Sequence, residues 1–279
     1  MIADRLGVRH PDGMTPDASM RAHYALGKEQ TRLDDPKFVL EFERTKQILL
    51  RALPPAPAVV ADIGGGPGRY SLWLSELGYR AEHRDVIPLH VEQARAVGVN
   101  ARLADARRLD LADASVDAVL LLGPLYHLLE RSDRVRALRE AHRVVRPGGP
   151  VFAAVISRWA ARLDGVVVER MYERFPDALD QLAQVEATGV LAPFGEAMFS
   201  GYTHRPQELL DELTDAGLVV EDLVGVEGML LTSPDLIQRL SDPVARNVLL
   251  DTARAIERVP ELLGLHPHLI ATGRRPASS

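Results

Sequence analysis

The stretch Val59–Leu77, VVADIGGGPGRYSLWLSEL, decides the fold that this sequence predicts. It starts with a short apolar run that reaches Asp62 and then passes through a series of glycines. Beyond them, Leu72, Leu74 and Leu77 recur at helical spacing, so the stretch predicts a strand, a tight turn and a helix. Glycines in such a turn let backbone amides approach a ligand at the N-terminus of the helix.

The spacing of the glycines separates two kinds of nucleotide site. The dinucleotide pattern G-x-G-x-x-G would need glycine at position 69, which is Arg69. Instead, Asp62 is followed by glycine at every second position, namely Gly64, Gly66 and Gly68. This pattern resembles motif I of the class I S-adenosylmethionine-dependent methyltransferases. The resemblance implies an α/β, Rossmann-like, seven-stranded, mostly parallel sheet with helices on both faces, S-adenosylmethionine as cofactor, and Asp62 as support for the turn.

Two further acidic residues follow predicted strands, as the same family would place them. Asp85 resembles the acid that holds the ribose hydroxyls, and a carboxylate suits a vicinal diol because it accepts two hydrogen bonds. Asp105 lies where family members bind the adenine amino group. The resemblance also assigns the neighbouring Val86 and Ala106 to the cofactor site. The alternative is that both acids are ordinary turn residues at strand ends.

The fourth predicted strand, 115–122, ends in the turn GPLYHL. Ligands of open α/β sheets bind outside the carboxyl ends of the strands, so this turn should face the methyl group, with Gly123 in the cofactor site. We expect His127 to act as general base and Tyr126 to orient the acceptor. Alternatively, His127 caps the next helix and Tyr126 is a half-buried aromatic residue. The turn differs from the NPPY type, which disfavours DNA or glutamine as acceptor.

Two insertions are predicted to build a helical cap on a single domain, 37–279. Residues 157–205 would line a pocket for a small organic acceptor, and 234–265 would add further helices. His204 is a second candidate base, or else a cap for the helix that Pro206 opens. Glu227 follows the sixth strand and is a candidate for the pocket. The inserted helices could instead be extra core or the face of a homodimer.

Residues 1–36 are predicted to form an N-terminal extension that covers the cofactor cleft as a lid. Helix signals strengthen from position 18 to position 33. Tyr24, Glu29 and Arg32 are therefore candidates for ligand contact, although packing on the core is the alternative.

Composition limits the class of partner. The formal charge of −6 argues against nucleic acid, and the arginine-rich helix at 131–146 has interleaved acids, which is typical of a solvated surface. The sequence contains no cysteine, and we predict no metal site. It also shows no membrane span or signal peptide, which favours the cytoplasm. The sequence thus predicts methyl transfer to oxygen or nitrogen of a small molecule, plausibly in secondary metabolism; alternatives are an RNA or protein methyltransferase and a catalytically silent cofactor-binding protein.

Overall fold

A computed structural model describes residues 18–33, 38–193 and 199–277 of the chain. Its main sheet has seven strands in the order β3-β2-β1-β4-β5-β9-β8. Their bounds are β1 Val59–Ile63, β2 Arg80–Asp85, β3 Ala101–Leu103, β4 Ala118–Leu121, β5 Pro150–Ile156, β8 Val219–Gly225 and β9 His268–Arg274. The pairs among β1 to β5 are parallel, and β9 runs antiparallel to both β5 and β8. The expected seven-stranded, mostly parallel sheet is confirmed.

The central strands are apolar on both faces because helices cover both sides of the sheet. All four residues of β4, AVLL, are buried. The helices are α1 Ala18–Ala25, α2 Glu29–Arg32, α3 Val39–Leu49, α4 Arg69–Glu76, α5 Pro88–Ala96, α6 Arg131–Val144, α7 Ala160–Arg162, α8 Ala178–Thr188, α9 Pro206–Asp215, α10 Leu236–Ser241 and α11 Pro243–Ile256. Leu138 of α6 and Leu213 of α9 pack on one face of the sheet, and Leu49 of α3 and Leu74 of α4 pack on the other. Each such leucine contributes about 1.5–3 kcal/mol by burial.

The arginine-rich helix corrects one expectation. Arg134 of α6 is buried, and its guanidinium donates to both oxygens of buried Glu212 on α9. An isolated buried charge would be costly, so this pair ties α6 to α9. The remaining arginines follow the predicted surface pattern, as in the pair of Arg143 with Glu140.

The first insertion is less helical than predicted. After β5 the chain forms α7, a π-helical turn over Leu163–Val168, a 3₁₀ turn over Met171–Glu173 and then α8. A two-stranded sheet of β6 Val190–Leu191 and β7 Gly201–Tyr202 follows, which the sequence did not indicate. Phe194 and its neighbours to 198 lie outside the described residues. The role of the insertion as a cap stays a prediction.

The N-terminal helical region begins at Ala18, and the first seventeen residues of the predicted extension lie outside the described residues. The predicted helix to position 33 is broken at Gly27, whose φ is +69°. Met20, Tyr24 and Leu33 are buried, so α1 and α2 lie against the body of the protein. Within the described ranges, no helix combines the length and apolar character needed to cross a membrane.

Candidate active site

A cavity of about 430 Å³ lies at the carboxyl ends of β1 to β4. Its size falls in the usual range for small-molecule sites, about 300–1,000 Å³. Nearly all the predicted cofactor residues line it, namely Asp62, Gly64, Gly66, Asp85, Val86, Asp105, Ala106 and Gly123. Gly68 instead lies behind the turn, where a Cβ would approach Ala94 Cβ to 3.0 Å. The structure therefore brings the predicted cofactor residues together, with Gly68 as packing support.

The glycine turn requires glycine for two separate reasons. Gly64 and Gly66 have φ values of +67° and +58°, a region that L side chains rarely adopt. A Cβ on Gly64 would also lie 2.5 Å from Pro124 Cγ. The Gly64 amide donates to the carbonyl of Arg84 at 2.6 Å, which ties the turn to the end of β2.

Asp62 supports this turn through a hydrogen bond to a side chain. Its Oδ2 accepts a hydrogen bond from Ser71 Oγ at 2.6 Å, and Ser71 Oγ lies 3.1 Å from His83 Nδ1. No backbone amide donates to Asp62 within the described ranges. Its Oδ1 is buried without a hydrogen-bond partner there, and the residue lines the cavity. An unpaired buried carboxylate oxygen is costly, so Oδ1 fits a ligand that brings a donor or a positive charge.

Asp85 is the centre of the second turn. Its Oδ2 accepts from the Gly66 amide at 2.8 Å, and its Oδ1 accepts from the Ile87 amide at 2.8 Å. His90 Nδ1 lies 3.3 Å from the same Oδ1. Burial favours the neutral carboxyl, but the hydrogen bond and charge of His90 and the Ile87 amide together lower the pKa of Asp85. The carboxylate therefore joins the glycine turn to α5 and stays ionised.

Asp105 lies in the cavity wall but is already paired. Its Oδ1 accepts from the Arg107 amide at 2.8 Å and its Oδ2 accepts from Arg107 Nη2 at 2.7 Å. Arg107 Nη1 continues to Asp133 at 2.6 Å. The hydrogen bonds that Arg107 donates to Asp105 and Asp133, together with the charges of these carboxylates, raise the pKa of Arg107. An adenine amino group would have to share Asp105 with this guanidinium.

Tyr24 of α1 covers the cavity from the N-terminal side. Its hydroxyl lies 2.8 Å from His127 Nε2, and its ring meets the His90 ring edge to face with the centroids 4.7 Å apart. Burial raises the pKa of Tyr24, and the Tyr126 hydroxyl adds to the shift. Glu29 and Arg32 of α2 also line the cavity. All three predicted N-terminal contact residues are thus at the cavity.

His127 and Tyr126 both line the cavity, in an aromatic setting. The His127 ring lies 4.7 Å from the Tyr126 ring and 4.6 Å from the Phe199 ring, measured between centroids. Burial lowers the pKa of His127 to about 3, so its imidazole is neutral at pH 7 and is a weak proton acceptor. Burial likewise raises the pKa of Tyr126.

His204, the other predicted base, does not line the cavity. It is fully buried, and its Nε2 lies 3.2 Å from Glu212 Oε2. Burial lowers the pKa of His204. It does not cap α9 either, since the Arg205 amide there donates to the side chain of Glu208. His204 belongs to the buried polar cluster around Arg134 and Glu212.

Comparison with known proteins agrees with this geometry. Residues 61–153 match the family described as a methyltransferase domain, and they span β1 to β5. This part of the chain is a methyltransferase domain, and its glycine turn and strand-end acids resemble those of the class I S-adenosylmethionine-dependent methyltransferases. A ubiquinone/menaquinone biosynthesis C-methyltransferase of Acidiphilium cryptum is 33% identical, with 47% of this chain and 53% of that protein covered. A probable human tRNA methyltransferase 9B is 32% identical over 42% of this chain and 24% of that protein.

Solved methyltransferase structures share the fold at low sequence identity. The Burkholderia thailandensis 1,6-didemethyltoxoflavin N1-methyltransferase, solved with 1,6-didemethyltoxoflavin and S-adenosylhomocysteine, has a TM-score of 0.52 and 19% identity. That match covers 96% of this chain and 93% of the other. By contrast, the chain covers only about a quarter to about half of the length of the two curated relatives described above.

The structure adds functional candidates that the motifs did not show. His90 supports Asp85 from the first turn of α5, five positions later in the chain. Near the far end of the sheet, Glu41, Glu227 and His268 bring one polar atom each to within 4.8 Å of one another, a set that has the composition of a metal site. We call these three residues the His268 cluster. Only Glu227 had a sequence signal, its place after β8.

Proposed function

We propose that this methyltransferase transfers the methyl group of S-adenosylmethionine to oxygen or nitrogen of a small organic molecule. The observation that carries the proposal is a cavity at the carboxyl edge of the sheet, roofed by α1 and lined by the motif residues. Its volume suits a cofactor and part of a small acceptor.

The residues of the cavity fit the cofactor. The unpaired Oδ1 of Asp62 offers an acceptor to an ammonium group or a water bound to it. Asp85 would bind the ribose hydroxyls through lone pairs left beside its amide donors, and Asp105 would contact the adenine. S-adenosylmethionine supplies an electrophilic methyl group on a sulfonium, which an acceptor displaces in line.

The chain's own contribution is mainly to position the acceptor. Holding the acceptor atom and the methyl carbon in near-attack geometry can remove about 7–11 kcal/mol of the barrier. Tyr126 would orient the acceptor, and its hydroxyl makes no hydrogen bond to another described residue. Tyr24 and His127 would close the cavity and keep out water. In this proposal His127 acts by position, since it is a weak base.

The charge of the cavity supports a small acceptor over RNA. Among the described residues, six carboxylates line it, against three guanidinium groups. A nucleic-acid site normally presents basic groups to the phosphates, and an acidic wall repels them. The Acidiphilium relative is named for quinone biosynthesis, which agrees with a small acceptor, whereas the name of the human relative points to tRNA.

A methyl-transfer assay tests the proposal. Purified protein is incubated with methyl-labelled S-adenosylmethionine and a panel of phenols, quinols, amines and bulk tRNA, and labelled products are separated by class. We expect label on small molecules and none on tRNA. Label on tRNA alone would contradict the proposed acceptor class, and binding of the cofactor without turnover on any acceptor would favour a catalytically silent protein.

A further inference from the structure

An apolar face of the sheet leads from the cavity beyond β4 toward the far edge of the sheet. Leu122 lines the cavity and packs in the same cluster as Ala154 and Ile270, which pair across β5 and β9. Alternate residues of a strand share a face. Ile156 and His268, the next pair in that register, therefore extend this face outward at the carboxyl edge. This face runs from Leu122, at the cavity, across β5 to His268, which does not itself line the cavity.

Beside this face of the sheet, an ion pair links the cavity to the His268 cluster. Arg32 lines the cavity, and its Nη1 and Nη2 donate to the two oxygens of Glu41 at 2.8 and 3.2 Å. Glu41 belongs to the His268 cluster, so its carboxylate lies between the cavity wall and the imidazole. The cluster is next to the cavity and is not a separate surface feature.

Glu227 fixes the orientation of the imidazole. Its carboxylate is fully buried, with Oε1 2.5 Å from His268 Nδ1 and Oε2 accepting from the His268 amide at 3.2 Å. His268 Nε2 makes no hydrogen bond to another described residue, and the side chain is 26% exposed. A carboxylate that holds one ring nitrogen determines what the other nitrogen presents to a ligand.

The charges around His268 favour a proton on the ring. Burial opposes the charged form, but Glu227 and Glu41 together raise the pKa of His268 to about 9, against a smaller opposing effect of Arg32. At pH 7 the ring is therefore an imidazolium whose Nε2–H group is available as a charged donor. His127 is the reverse case, because it is neutral and enclosed by aromatic rings.

We propose that the Glu227–His268 pair is the subsite for the acceptor oxygen, and that it binds an acidic hydroxyl, as of a phenol or an enol, in its ionised form. This proposal rests on the proposed methyl transfer and narrows it to oxygen. The Nε2–H group of His268 donates to the oxyanion, and a hydrogen bond to a charged group is stronger than a neutral one. Ile156 and Leu122 supply apolar floor for the ring of the acceptor.

The reaction then balances without an added base. Below pH 9 the imidazolium already holds its proton, so the acceptor hydroxyl gives its proton to solvent on binding. An oxygen lone pair attacks the methyl carbon, the carbon–sulfur bond breaks, and its electron pair stays on sulfur. An anion and a sulfonium cation become a neutral ether and a neutral thioether. Above pH 9 the neutral imidazole takes the acceptor proton itself.

Binding of 4-nitrophenol tests this subsite without a known acceptor. At pH 6 the free probe is mostly protonated and colourless, whereas its phenolate absorbs visible light. We expect the phenolate band to appear when wild-type protein is added, with and without S-adenosylhomocysteine. The band should be lost in His268→Asn and Glu227→Gln, with affinity reduced about tenfold or more. His142→Asn, on α6 and outside the cavity lining, is the matched control and should behave like wild type.

A histidine NMR titration of the wild-type protein tests the subsite even if the variants fail to fold. The ring nitrogen signals of His268 should shift when 4-nitrophenol binds, while those of His142 stay in place. Absence of the band together with an unmoved His268 signal would overturn the proposal. Calorimetry with S-adenosylhomocysteine is read separately, so loss of the subsite alone leaves the proposed methyl transfer standing.

A further experiment tests whether the His268 cluster binds a metal ion instead. Both oxygens of Glu41 already bind Arg32, and Glu227 already holds His268, which favours the protonated pair over a cation. We therefore expect the phenolate band to be unchanged by a chelator and by added Mn²⁺ or Zn²⁺. Stoichiometric metal binding that is required for the band would overturn the proposal and make the cluster a metal centre.

Discussion

The proposed cofactor end of the site and its proposed acceptor end, which includes the His268 cluster beside the cavity, are built from different kinds of contact. At the cofactor end, Asp62, Asp85 and Asp105 lie near the carboxyl ends of β1, β2 and β3, and each is held by a partner at most 21 residues away in the chain. At the acceptor end, Tyr24 meets His127 across 103 positions, and Glu41 meets residues from the last quarter of the chain. Local chain geometry therefore builds the cofactor end, and tertiary packing builds the acceptor end.

The two histidines of the acceptor end show what packing does to one side chain. His127 lies among aromatic rings, and burial lowers its pKa to about 3. His268 lies beside Glu227 and Glu41, which raise its pKa to about 9 despite burial. The imidazole of His127 is neutral and that of His268 is a cation, so residue type alone does not identify the functional histidine.

The largest expected effect is a loss of affinity for the cofactor when Asp85 is replaced. Asp85→Ala should weaken binding of S-adenosylmethionine by about a hundredfold or more, because charge-assisted hydrogen bonds contribute about 1.5–3 kcal/mol each. Calorimetric titration measures it. Asp113→Asn, whose side chain is 76% exposed, is the control and should leave the affinity unchanged. An Asp85→Ala variant within threefold of wild type would remove Asp85 from the cofactor site.

His127 should make the protein sensitive to acid. Because its folded pKa is about 3, the unfolded chain binds the extra proton first, and stability is lost as the pH falls from about 6.5 toward 3. His127→Phe removes this loss, so between pH 7 and pH 4.5 the variant should lose on the order of 2 kcal/mol less unfolding free energy than wild type. Urea unfolding at both pH values measures the difference. Equal losses would contradict the buried neutral state.

His268 should show the opposite dependence. Its folded pKa of about 9 exceeds the unfolded value, so its stabilisation is full below about pH 6.5 and is lost as the pH rises through 9. The advantage of wild type over His268→Asn should therefore be greater at pH 6 than at pH 10, by about 1–2 kcal/mol. Urea unfolding tests this, and a difference independent of pH would show that His268 carries no charge-dependent role.

Features that depend on neighbours along the chain could be predicted from the sequence, whereas contacts between distant residues could not. The turn from Gly64 to Gly68 was predicted correctly, because it depends on neighbours along the chain. The burial of Arg134 was not predicted, because its partner Glu212 is 78 positions away.

The acceptor end was the least predictable. His204 was a candidate base from its place before a helix, yet it lies in the core with Glu212. His268 is the first residue of β9, and only the fold shows that it meets Glu227, 41 positions earlier. Such contacts produce no recognisable pattern of residue spacing, because they form only when β5, β8 and β9 pair.

The smallest expected effect concerns the hydrogen bond between α1 and His127. Tyr24→Phe removes the hydrogen bond between the Tyr24 hydroxyl and His127 Nε2 and should cost about 1 kcal/mol of unfolding free energy at pH 7. Tyr172→Phe, at a side chain that is 46% exposed, is the control and should change stability by no more than about 0.5 kcal/mol. Thermal and urea unfolding measure both. Equal stability of the two variants would mean that α1 is not held through Tyr24.

The most direct test of the account is calorimetric titration of the wild-type protein with S-adenosylmethionine, S-adenosylhomocysteine and NAD in parallel. The glycine turn and Asp85 predict micromolar binding of both adenosyl ligands, about −8 kcal/mol, and no binding of NAD. Binding of NAD with no response to either adenosyl ligand would contradict the assignment of the cavity, and the proposed methyl transfer would be wrong.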